Sequence, residues 1–343
     1  MKKKEKIELR SLNQVELIAL IQRLGFEGYR GKQLHHWIYR KAVRSFDEMT
    51  NIPKELLNSL KEISFLGGIK YTESVESSDG TKKFIHTLYD DLKIQSVLMP
   101  GENRTTLCIS TQVGCPLNCS FCLTGKMGFK RNLTIAEIVD QVLHTRYYYV
   151  QHPLSMNIVV MGMGEPLLNL DNVIPALKLI VSPQDIGISP RRVTLSTVGI
   201  PEGLRRIAKE DIGVNLAISL HSAYQTKRSE LVSINKKYPL SEIMKELNSY
   251  PLPKSRRITF EYILLKGIND SLQDAKRLAQ LLNNRRSKIN LILYNEIGDE
   301  RYKRPDEKSI EEFANFLRER NFTVAMRYSK GEDIKAACGQ LAL

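Results

Sequence analysis

The chain has 343 residues, 42% of them hydrophobic, with five cysteines and a formal net charge of +13. The hydrophobic content supports a large domain with a smaller appendage and excludes a disordered chain, while the few cysteines exclude a disulfide scaffold and favour the reducing cytoplasm. The charge indicates a polyanionic partner, with nucleic acid ahead of an anionic membrane surface, and no run is apolar enough to span a membrane.

The first zone, residues 1–63, is basic and helical in pattern. Apolar residues recur at helical spacing until Gly25, which is placed to end a first helix. A second helix is predicted over residues 31–42, and a third follows Pro53, because proline suits a first helical turn. We expect a small helical domain here.

The second zone, residues 64–100, favours β structure. Residues 84–88 and 94–99 are predicted strands, and the turn between them contains Asp90 and Asp91. No charged linker separates this zone from its neighbours. It is therefore predicted to be a β-rich connecting segment.

The third zone, residues 101–343, alternates β-branched runs with amphipathic helical patterns. Strands are predicted over residues 105–110, 157–161, 192–196, 214–220, 258–264, 289–294 and 323–327. Helices are predicted over residues 134–145, 172–180, 202–209, 240–247, 271–282 and 309–320. This alternation favours parallel βα units, in either a barrel or an open sheet.

The strongest motif is a cysteine cluster, GCPLNCSFC, at residues 114–122. Three thiolates at this spacing can hold a soft metal, which favours zinc or iron–sulfur. Structural zinc normally needs a fourth ligand, and His144 is too distant along the chain to complete a compact site. A four-iron cubane with one open iron position suits three cysteines better. The spacing, with Phe121 before the last cysteine, resembles the radical S-adenosylmethionine (radical SAM) superfamily.

Small and polar residues follow several predicted strands. Residues 162–166 (GMGEP) contain glycines that allow close approach to a ligand, and Glu165 can accept a hydrogen bond from an ammonium group. Ser196, residues 219–221 and Asn295 also lie at strand ends. In a barrel these ends form the active-site face, although each residue alone is more often a loop cap than a ligand.

Two cysteines lie outside the cluster. Cys108 lies in the first predicted strand of the third zone, and Cys338 lies near the C-terminal end. On spacing alone, two buried small hydrophobic residues are the favoured interpretation. The chemistry adds only that a thiolate can accept a methyl group or form a transient disulfide.

A set of motifs in order along the chain resembles the RlmN/Cfr family of radical SAM adenine methyltransferases that act on ribosomal RNA. The motifs are TLCISTQVGC at 106–115, MGMGEPLLN at 161–169, RRVTLST at 191–197, AISLH at 217–221, INKK at 234–237, KINL at 288–291 and DIKAACGQL at 333–341. The EPLLN and INKK runs are similar to the RlmN branch, which methylates adenine C2, rather than to the Cfr branch, which methylates C8.

The resemblance implies an α/β fold with three parts. These are a helical RNA-binding domain over residues 1–63, a β extension over 64–100 and a partial (β/α)6 barrel over 101–343. It implies a [4Fe–4S] cluster on three cysteines, Cys115, Cys119 and Cys122. It also implies an enzyme, expected to be a monomer, that methylates C2 of an adenosine in 23S ribosomal RNA. A second candidate substrate is tRNA, and a flavodoxin-like protein is the expected reductant.

The resemblance also implies residue roles and the use of two S-adenosylmethionine molecules per turnover. One methylates Cys338, and the second yields a deoxyadenosyl radical that activates this methyl group for addition to the adenine. Cys108 then attacks the Cys338 sulfur, which forms a disulfide and releases the RNA. The implied S-adenosylmethionine contacts are Gly164, Glu165, Ser196, Ser219, Leu220, His221 and Asn295.

One position departs from the family pattern. Thirteen residues before Cys108 the family carries a glutamate that acts as proton acceptor, and here Gln95 occupies this position. Glutamine cannot take a proton at neutral pH, so the proton must leave through water, through another group or slowly. Gln95 can still orient a water molecule or hydrogen-bond the base.

The expected phosphate contacts are Lys126, Lys130, Arg131, Lys236 and Lys237. Three alternatives to an RNA methyltransferase stay open. A methylthiotransferase needs three further cysteines, and a glycyl-radical activase leaves the two outlying cysteines unexplained. A non-enzymatic iron–sulfur RNA-binding protein predicts RNA affinity without cleavage of S-adenosylmethionine.

Overall fold

The computed structural model describes residues 6–101, 104–149 and 156–343. A sheet of ten strands, in the order β14-β13-β12-β11-β10-β9-β6-β5-β4-β3, forms the centre of the described molecule. Two short pairs, β1 with β2 and β7 with β8, lie outside it. The strands are β1 Ile7–Glu8, β2 Ser64–Phe65, β3 Ile69–Glu76, β4 Lys82–Leu88, β5 Lys93–Met99, β6 Thr106–Cys108, β7 Gln112–Gly114, β8 Phe129–Asn132, β9 Asn157–Val160, β10 Val193–Thr197, β11 Asn215–Ser219, β12 Ile258–Leu264, β13 Ser287–Leu293 and β14 Thr323–Arg327.

Helices alternate with the parallel strands of this sheet. Helices α5 to α11 make up this alternation. In chain order the described α-helices are α1 Gln14–Arg23, α2 Gly28–His35, α3 Lys54–Ile63, α4 Leu123–Lys126, α5 Ile135–Tyr149, α6 Leu170–Val181, α7 Pro201–Glu210, α8 Gln225–Leu231, α9 Leu240–Ser249, α10 Leu272–Leu282 and α11 Glu307–Arg318. Strand β6 and strands β9 to β14 pair in parallel, each with its successor. Within the described residues this gives six βα units and a final strand, as the predicted partial (β/α)6 barrel requires.

The predicted strands and helices of the barrel are found in the structure, two strands with identical bounds (β12 and β14). Helix α8 was not predicted, because its sequence, QTKRSEL, is short and mostly polar. Inside the barrel, side chains alternate along each strand. On β12, for example, Glu261 and Ile263 face the interior cavity.

The β extension is antiparallel and joins the barrel through pairing of β5 with β6. The predicted strands 84–88 and 94–99 correspond to β4 and β5. Strand β3 was not predicted, because it is the edge strand and most of its side chains are exposed. An edge strand without a buried face lacks the alternating apolar pattern on which strand prediction depends.

Helices α1 to α3 form the N-terminal layer. Asn13 caps α1 by a reciprocal capping box with Glu16, and Gly25 beyond its end has a φ of +83°. Pro53 precedes α3 as its N-cap residue. A Cβ at Gly31 would lie 2.5 Å from the Ile18 Cα, so glycine allows α1 and α2 to cross closely.

A buried ion network joins this layer to the barrel. Asp140 on α5 accepts hydrogen bonds from Arg10 at 3.2 Å and from Arg44 at 2.6 Å, and Asp140 is fully buried. The oxygen that accepts from Arg10 also accepts the Ile69 N–H at 2.8 Å. Because an unpaired buried charge is costly, this network favours one fixed placement of the N-terminal helices on the barrel. The division of the chain after residues 63 and 100 stays a prediction.

No helix within the described ranges is long and apolar enough to cross a membrane.

Candidate active site

A cavity of about 240 Å³ lies at the carboxyl ends of the parallel strands. All five cysteines of the chain line it: Cys108, Cys115, Cys119, Cys122 and Cys338. We call it the barrel cavity. Cys108 ends β6, and Cys338 follows β14, so the fold joins the two edges of the parallel sheet at one place.

Three of these cysteines come from the loop between β7 and α4. Gly114 has a φ of +75°, and a Cβ there would lie 1.8 Å from the Gly128 carbonyl oxygen, so the chain can turn here only with glycine. The Cys115 N–H donates to this same oxygen at 2.9 Å. The Cys122 N–H donates to the Cys119 carbonyl at 3.1 Å. These bonds hold the loop so that its three cysteines line one wall of the cavity.

Two thiols of this loop, Cys115 and Cys119, are in an unfavourable environment for ionisation without a metal. Burial, with smaller contributions from Glu165 and Cys122, raises the pKa of Cys115 to about 12. Burial also raises the pKa of Cys119 well above its ordinary value, with added repulsion from the two other thiols. Thiolates in such repulsion are stabilised when they share a cation, so the three soft donors fit an iron–sulfur cluster.

The zinc alternative finds no support in the geometry. In the part of the chain that the structure describes, no three His, Cys, Asp or Glu side chains are placed to hold a single metal ion. A [4Fe–4S] cluster spreads its cysteine ligands over three separate irons and does not require the close convergence that one ion does. The three soft thiolate donors therefore suit such a cluster.

Arg228 on α8 is a buried cation beside the cluster loop that sequence reasoning missed. Its guanidinium donates to the Val198 carbonyl at 2.6 Å and to the Leu220 carbonyl at 3.0 Å. Burial lowers its pKa to about 10, while Cys119 and Glu165 raise it, so the group stays protonated at neutral pH. It joins the ends of β10 and β11 and supplies positive charge next to the thiolates. An arginine in a short polar helix gave no sequence signal of burial.

Main-chain contacts place Cys338 next to the cluster loop. The Leu123 N–H donates to the Gly339 carbonyl at 2.8 Å, and the Thr124 hydroxyl donates to the Leu341 carbonyl at 2.6 Å. Both donors immediately follow the last cysteine of the loop. Cluster loop and C-terminal segment therefore hold each other in position.

The β extension contacts the same C-terminal segment from the opposite side. The Ser77 hydroxyl donates to Asp333 at 2.5 Å, and the Gly331 N–H donates to Asp79 at 3.1 Å. These bonds come from the turn between β3 and β4. The extension thus has a positioning role for the segment that carries Cys338.

Cys108 and Cys338 are both protonated thiols at neutral pH in the chain alone. Burial, with a smaller contribution from Cys338, raises the pKa of Cys108 to about 12. Burial raises the pKa of Cys338 to about 11, with further contributions from Cys122 and Glu261. The Cys338 side chain is nevertheless exposed to the cavity, whereas Cys108 is 9% exposed.

Glu165 lies at the cavity wall after β9 and is 3% exposed. Its carboxylate accepts hydrogen bonds from the Thr197 hydroxyl at 2.6 Å, the Leu167 N–H at 3.0 Å and the Val198 N–H at 3.0 Å. Burial raises its pKa, and these three hydrogen bonds oppose the shift. A carboxylate has sites for about four donors. The predicted contact with the ammonium group of S-adenosylmethionine therefore fits.

Packing is a second reason why glycine is needed at positions 162 and 164, and the sequence did not indicate it. Gly164 has a φ of +103°, and a Cβ there would lie 2.6 Å from the Gln112 Cβ. A Cβ at Gly162 would lie 2.7 Å from the Ser110 Oγ. Glycine is therefore required for packing against Ser110 and against Gln112 at the start of β7, in addition to any approach of a ligand.

Most of the other residues predicted to contact S-adenosylmethionine line the same cavity: Gly164, Ser196, Ser219, His221 and Asn295. Burial lowers the pKa of His221 to about 3, and its Nδ1 accepts the Ile263 N–H at 3.2 Å, so a neutral ring offers its Nε2–H. Leu220 is the exception. Its side chain is fully buried away from the cavity lining, and its N–H donates to the Glu261 carbonyl at 2.9 Å.

Gln95 lies on β5 and is 2% exposed, outside the set of cavity-lining residues. Its Nε2 donates to the Ala342 carbonyl at 2.8 Å, and its Oε1 has no protein partner. The side chain therefore contacts the C-terminal segment. Its position agrees with a structural role, and its chemistry does not permit proton acceptance.

Two of the five basic residues predicted to contact RNA are already paired within the protein. Lys126 contacts Asp299 at 2.8 Å, and Arg131 contacts both Asp90 and Glu137 at 2.7 Å. These ion pairs do not exclude a contact with phosphate, so both residues stay candidates. Lys130, Lys236 and Lys237 are exposed and are candidates as well.

The partial barrel and the three-cysteine loop define a class. This is a radical SAM enzyme, and the model of the Radical SAM superfamily matches residues 109–282. The N-terminal helices match the model described as the ribosomal RNA large subunit methyltransferase N-terminal domain, over residues 7–66.

Comparison with individual proteins gives the family. The chain is 45% identical to a probable dual-specificity RNA methyltransferase RlmN of Thermus thermophilus, over 95% of this chain and 92% of that protein. It is 44% identical to the dual-specificity RNA methyltransferase RlmN of Desulfotalea psychrophila, over 99% and 96%. A crystal structure of a radical SAM methyltransferase from Sphaerobacter thermophilus superposes with a TM-score of 0.93 at 38% identity, covering 98% of this chain and 99% of that one. The chain belongs to the RlmN family of radical SAM RNA methyltransferases, whose cofactors are a [4Fe–4S] cluster and S-adenosylmethionine.

Proposed function

We propose that this enzyme methylates C2 of an adenosine in 23S ribosomal RNA, with Cys338 as methyl carrier and Cys108 as resolving thiol. One observation carries the assignment of roles. The two cysteines come from opposite edges of the parallel sheet, yet both line the cavity that holds the three cluster cysteines. Two isolated buried hydrophobic residues would have no reason to meet there.

Different residues of the cavity hold the cluster and S-adenosylmethionine. Cys115, Cys119 and Cys122 hold the cluster, and Glu165 with the polar residues at the ends of β10 and β11 holds S-adenosylmethionine. When bound, these groups supply the methyl group and the one-electron chemistry that activates it. The protein supplies placement and a water-poor environment.

Cys338 carries the methyl group as a thioether, which requires loss of its thiol proton. Its pKa of about 11 keeps the sulfur protonated, and thus unreactive toward other electrophiles, until the donor is in place. After the methylene carbon has bonded to the adenine, Cys108 attacks the Cys338 sulfur. The new S–S bond replaces the S–C bond, the released carbon takes up a proton to complete the methyl group, and the methylated RNA leaves.

The partners follow from the same proposal. We propose 23S ribosomal RNA as the main substrate, tRNA as a second one, and a flavodoxin-like protein that reduces both the cluster and the disulfide. The net charge of +13 supports a polyanionic substrate. We further propose that the enzyme acts as a monomer in the cytoplasm.

The test is complementation of a bacterial strain that lacks 2-methyladenosine, followed by mass spectrometry of ribosomal RNA and tRNA nucleosides. We expect 2-methyladenosine to return in ribosomal RNA. A return of 8-methyladenosine would instead support the Cfr-like alternative. RNA binding without methylation or deoxyadenosine formation would support the non-enzymatic alternative.

A further inference from the structure

The family's proton acceptor is missing at position 95, so another group must take the proton from the adenine carbon. The cavity-lining residues that can serve as a base are Glu165, His221 and Glu261. Both oxygens of Glu165 already accept hydrogen bonds from protein donors. His221 is a very weak base, since burial lowers its pKa to about 3.

Glu261 differs from both. It lies on the inward face of β12 and is 2% exposed. Its Oε1 accepts the Asn290 side-chain amide at 2.9 Å, whereas its Oε2 is buried and has no protein partner. A buried carboxylate oxygen without a donor is costly, and native proteins retain such groups mainly where they serve a function.

The surroundings of Glu261 connect it to the methyl carrier. It lines the same cavity as Cys108 and Cys338, and it is close enough to Cys338 to raise the pKa of that thiol. The backbone carbonyl of Glu261 accepts the N–H groups of Leu220 and His221, which fixes β12 against the strand that ends at Ser219. The carboxyl group is therefore held rigidly in the part of the cavity that also contains Cys108 and Cys338.

We propose that Glu261 is the catalytic base that takes the C2 proton of the adenine while the RNA is bonded to Cys338. This inference rests on the proposed function, because it needs that bond. The C2–H bond breaks heterolytically, its electron pair stays on the ring, and the proton bonds to the free Oε2 of Glu261. No electron enters or leaves in this step, and Asn290 continues to hold Oε1.

Charged and polar groups around the carboxyl set its basicity. Those facing it are Ser219 at the end of β11, His221 two residues beyond it, Lys288 and Asn290 from β13, Arg327 from β14, and Cys338. Burial raises the pKa of Glu261, while Arg327, Asn290 and Lys288 oppose this shift. A base with a raised pKa removes a carbon-bound proton more effectively near neutral pH.

The experiment compares wild type with Glu261→Gln, and with Glu242→Gln as the same chemical change at an exposed position on α9. In anaerobic single turnover with an RNA fragment, three products are followed: deoxyadenosine, S-methylated Cys338 and the covalent Cys338–RNA species. We expect Glu261→Gln to form all three but to resolve the covalent species about 10²–10⁴-fold more slowly. Resolution in wild type should accelerate with pH as the base ionises, and this dependence should disappear in the variant.

The outcomes separate this inference from the function on which it rests. Resolution within threefold of wild type, or loss of deoxyadenosine formation, would overturn the assignment of Glu261 as the base. The second result would place Glu261 in cofactor binding. If wild type itself forms neither the covalent species nor methylated RNA, the proposed function fails and this assignment fails with it.

A melting experiment on the chain without cofactors tests for a purely structural role. Because the folded-state pKa of Glu261 is raised, its ionisation opposes folding above the pKa of the unfolded chain, and this penalty disappears at lower pH. Glu261→Gln should therefore melt higher than wild type at pH 8, with the difference narrowing toward pH 5. A lower melting temperature at both pH values would indicate that the carboxylate stabilises the fold, against its role as the base.

Discussion

The two ends of the barrel cavity were assembled in different ways. The cluster end consists of three cysteines within eight residues of one loop, held by local hydrogen bonds such as that from Cys122 to Cys119. The transfer end combines Cys108 from β6, Glu261 from β12 and Cys338 from the C-terminal segment. A local loop can be recognised from spacing, whereas a site built from distant segments depends on the whole barrel. The two ends should therefore respond differently to substitution.

The largest effect is expected at the cluster end. Cys122→Ala removes one of three ligands, so anaerobically reconstituted protein should hold no stable cluster and should form no deoxyadenosine, with or without RNA. Iron analysis and product chromatography measure both. Wild type should bind close to four irons. Full activity with zinc in place of iron would contradict the assignment.

Substitution of the methyl carrier should abolish methyl transfer without affecting the cluster. Cys338→Ala should abolish RNA methylation and leave the cluster absorbance spectrum unchanged, because its sulfur is not a cluster ligand. Peptide mass spectrometry of wild type purified with its cluster should find one additional methyl group on Cys338. Normal methylation by the variant would return Cys338 to a packing role.

Substitution of the resolving thiol should stop the reaction later. Cys108→Ala should retain Cys338 methylation and deoxyadenosine formation but accumulate protein cross-linked to RNA, which denaturing gels reveal and thiol reductants do not reverse. Cys338→Ala, which lacks the carrier sulfur, is the matched control and should show no cross-link. Free release of methylated RNA by Cys108→Ala would mean that another group resolves the adduct.

The raised thiol pKa values give a pH test of the transfer end. Since Cys338 has a pKa of about 11, only about one thiol in 10³ is ionised at pH 8 in the chain without cofactors. Its alkylation by iodoacetamide should be slow and should accelerate about tenfold per pH unit between pH 7 and 10. Rapid, pH-independent labelling would show that the thiol is activated before any cofactor binds.

The smallest effect is expected outside the cavity. Lys236 and Lys237 are exposed and carry no ion pair in the described part of the chain. Replacing both with alanine should weaken RNA binding and lower the slope of log affinity against log salt by about 1.4–1.8, the value for two phosphate contacts. Deoxyadenosine formation should persist at saturating RNA. Lys126→Ala is the informative comparison, because Lys126 is paired with Asp299 within the protein.

The fold was largely predictable because the barrel repeats one pattern. Buried strands such as β12 and β13 are rich in β-branched and apolar residues, and amphipathic helices separate them. Among the elements that escaped prediction, β3 and α8 lack an apolar face of their own, and the others are only two to four residues long. The ion pairs of Lys126 and Arg131 could not be predicted for a related reason, since no sequence pattern shows that Asp299 or Asp90 will lie opposite.

The sequence by itself determined the chemistry of the cluster end, because the soft thiolates and the glycine that turns their loop lie within a few residues of one another. Motifs along the chain also indicated its family. Only the tertiary structure determined which residues meet at the transfer end and how they are buried. Closure of the barrel brings Cys108 to Cys338, the C-terminal segment covers Gln95, and burial leaves one oxygen of Glu261 without a partner. Burial and long-range proximity depend on every strand in between, so no short sequence pattern records them.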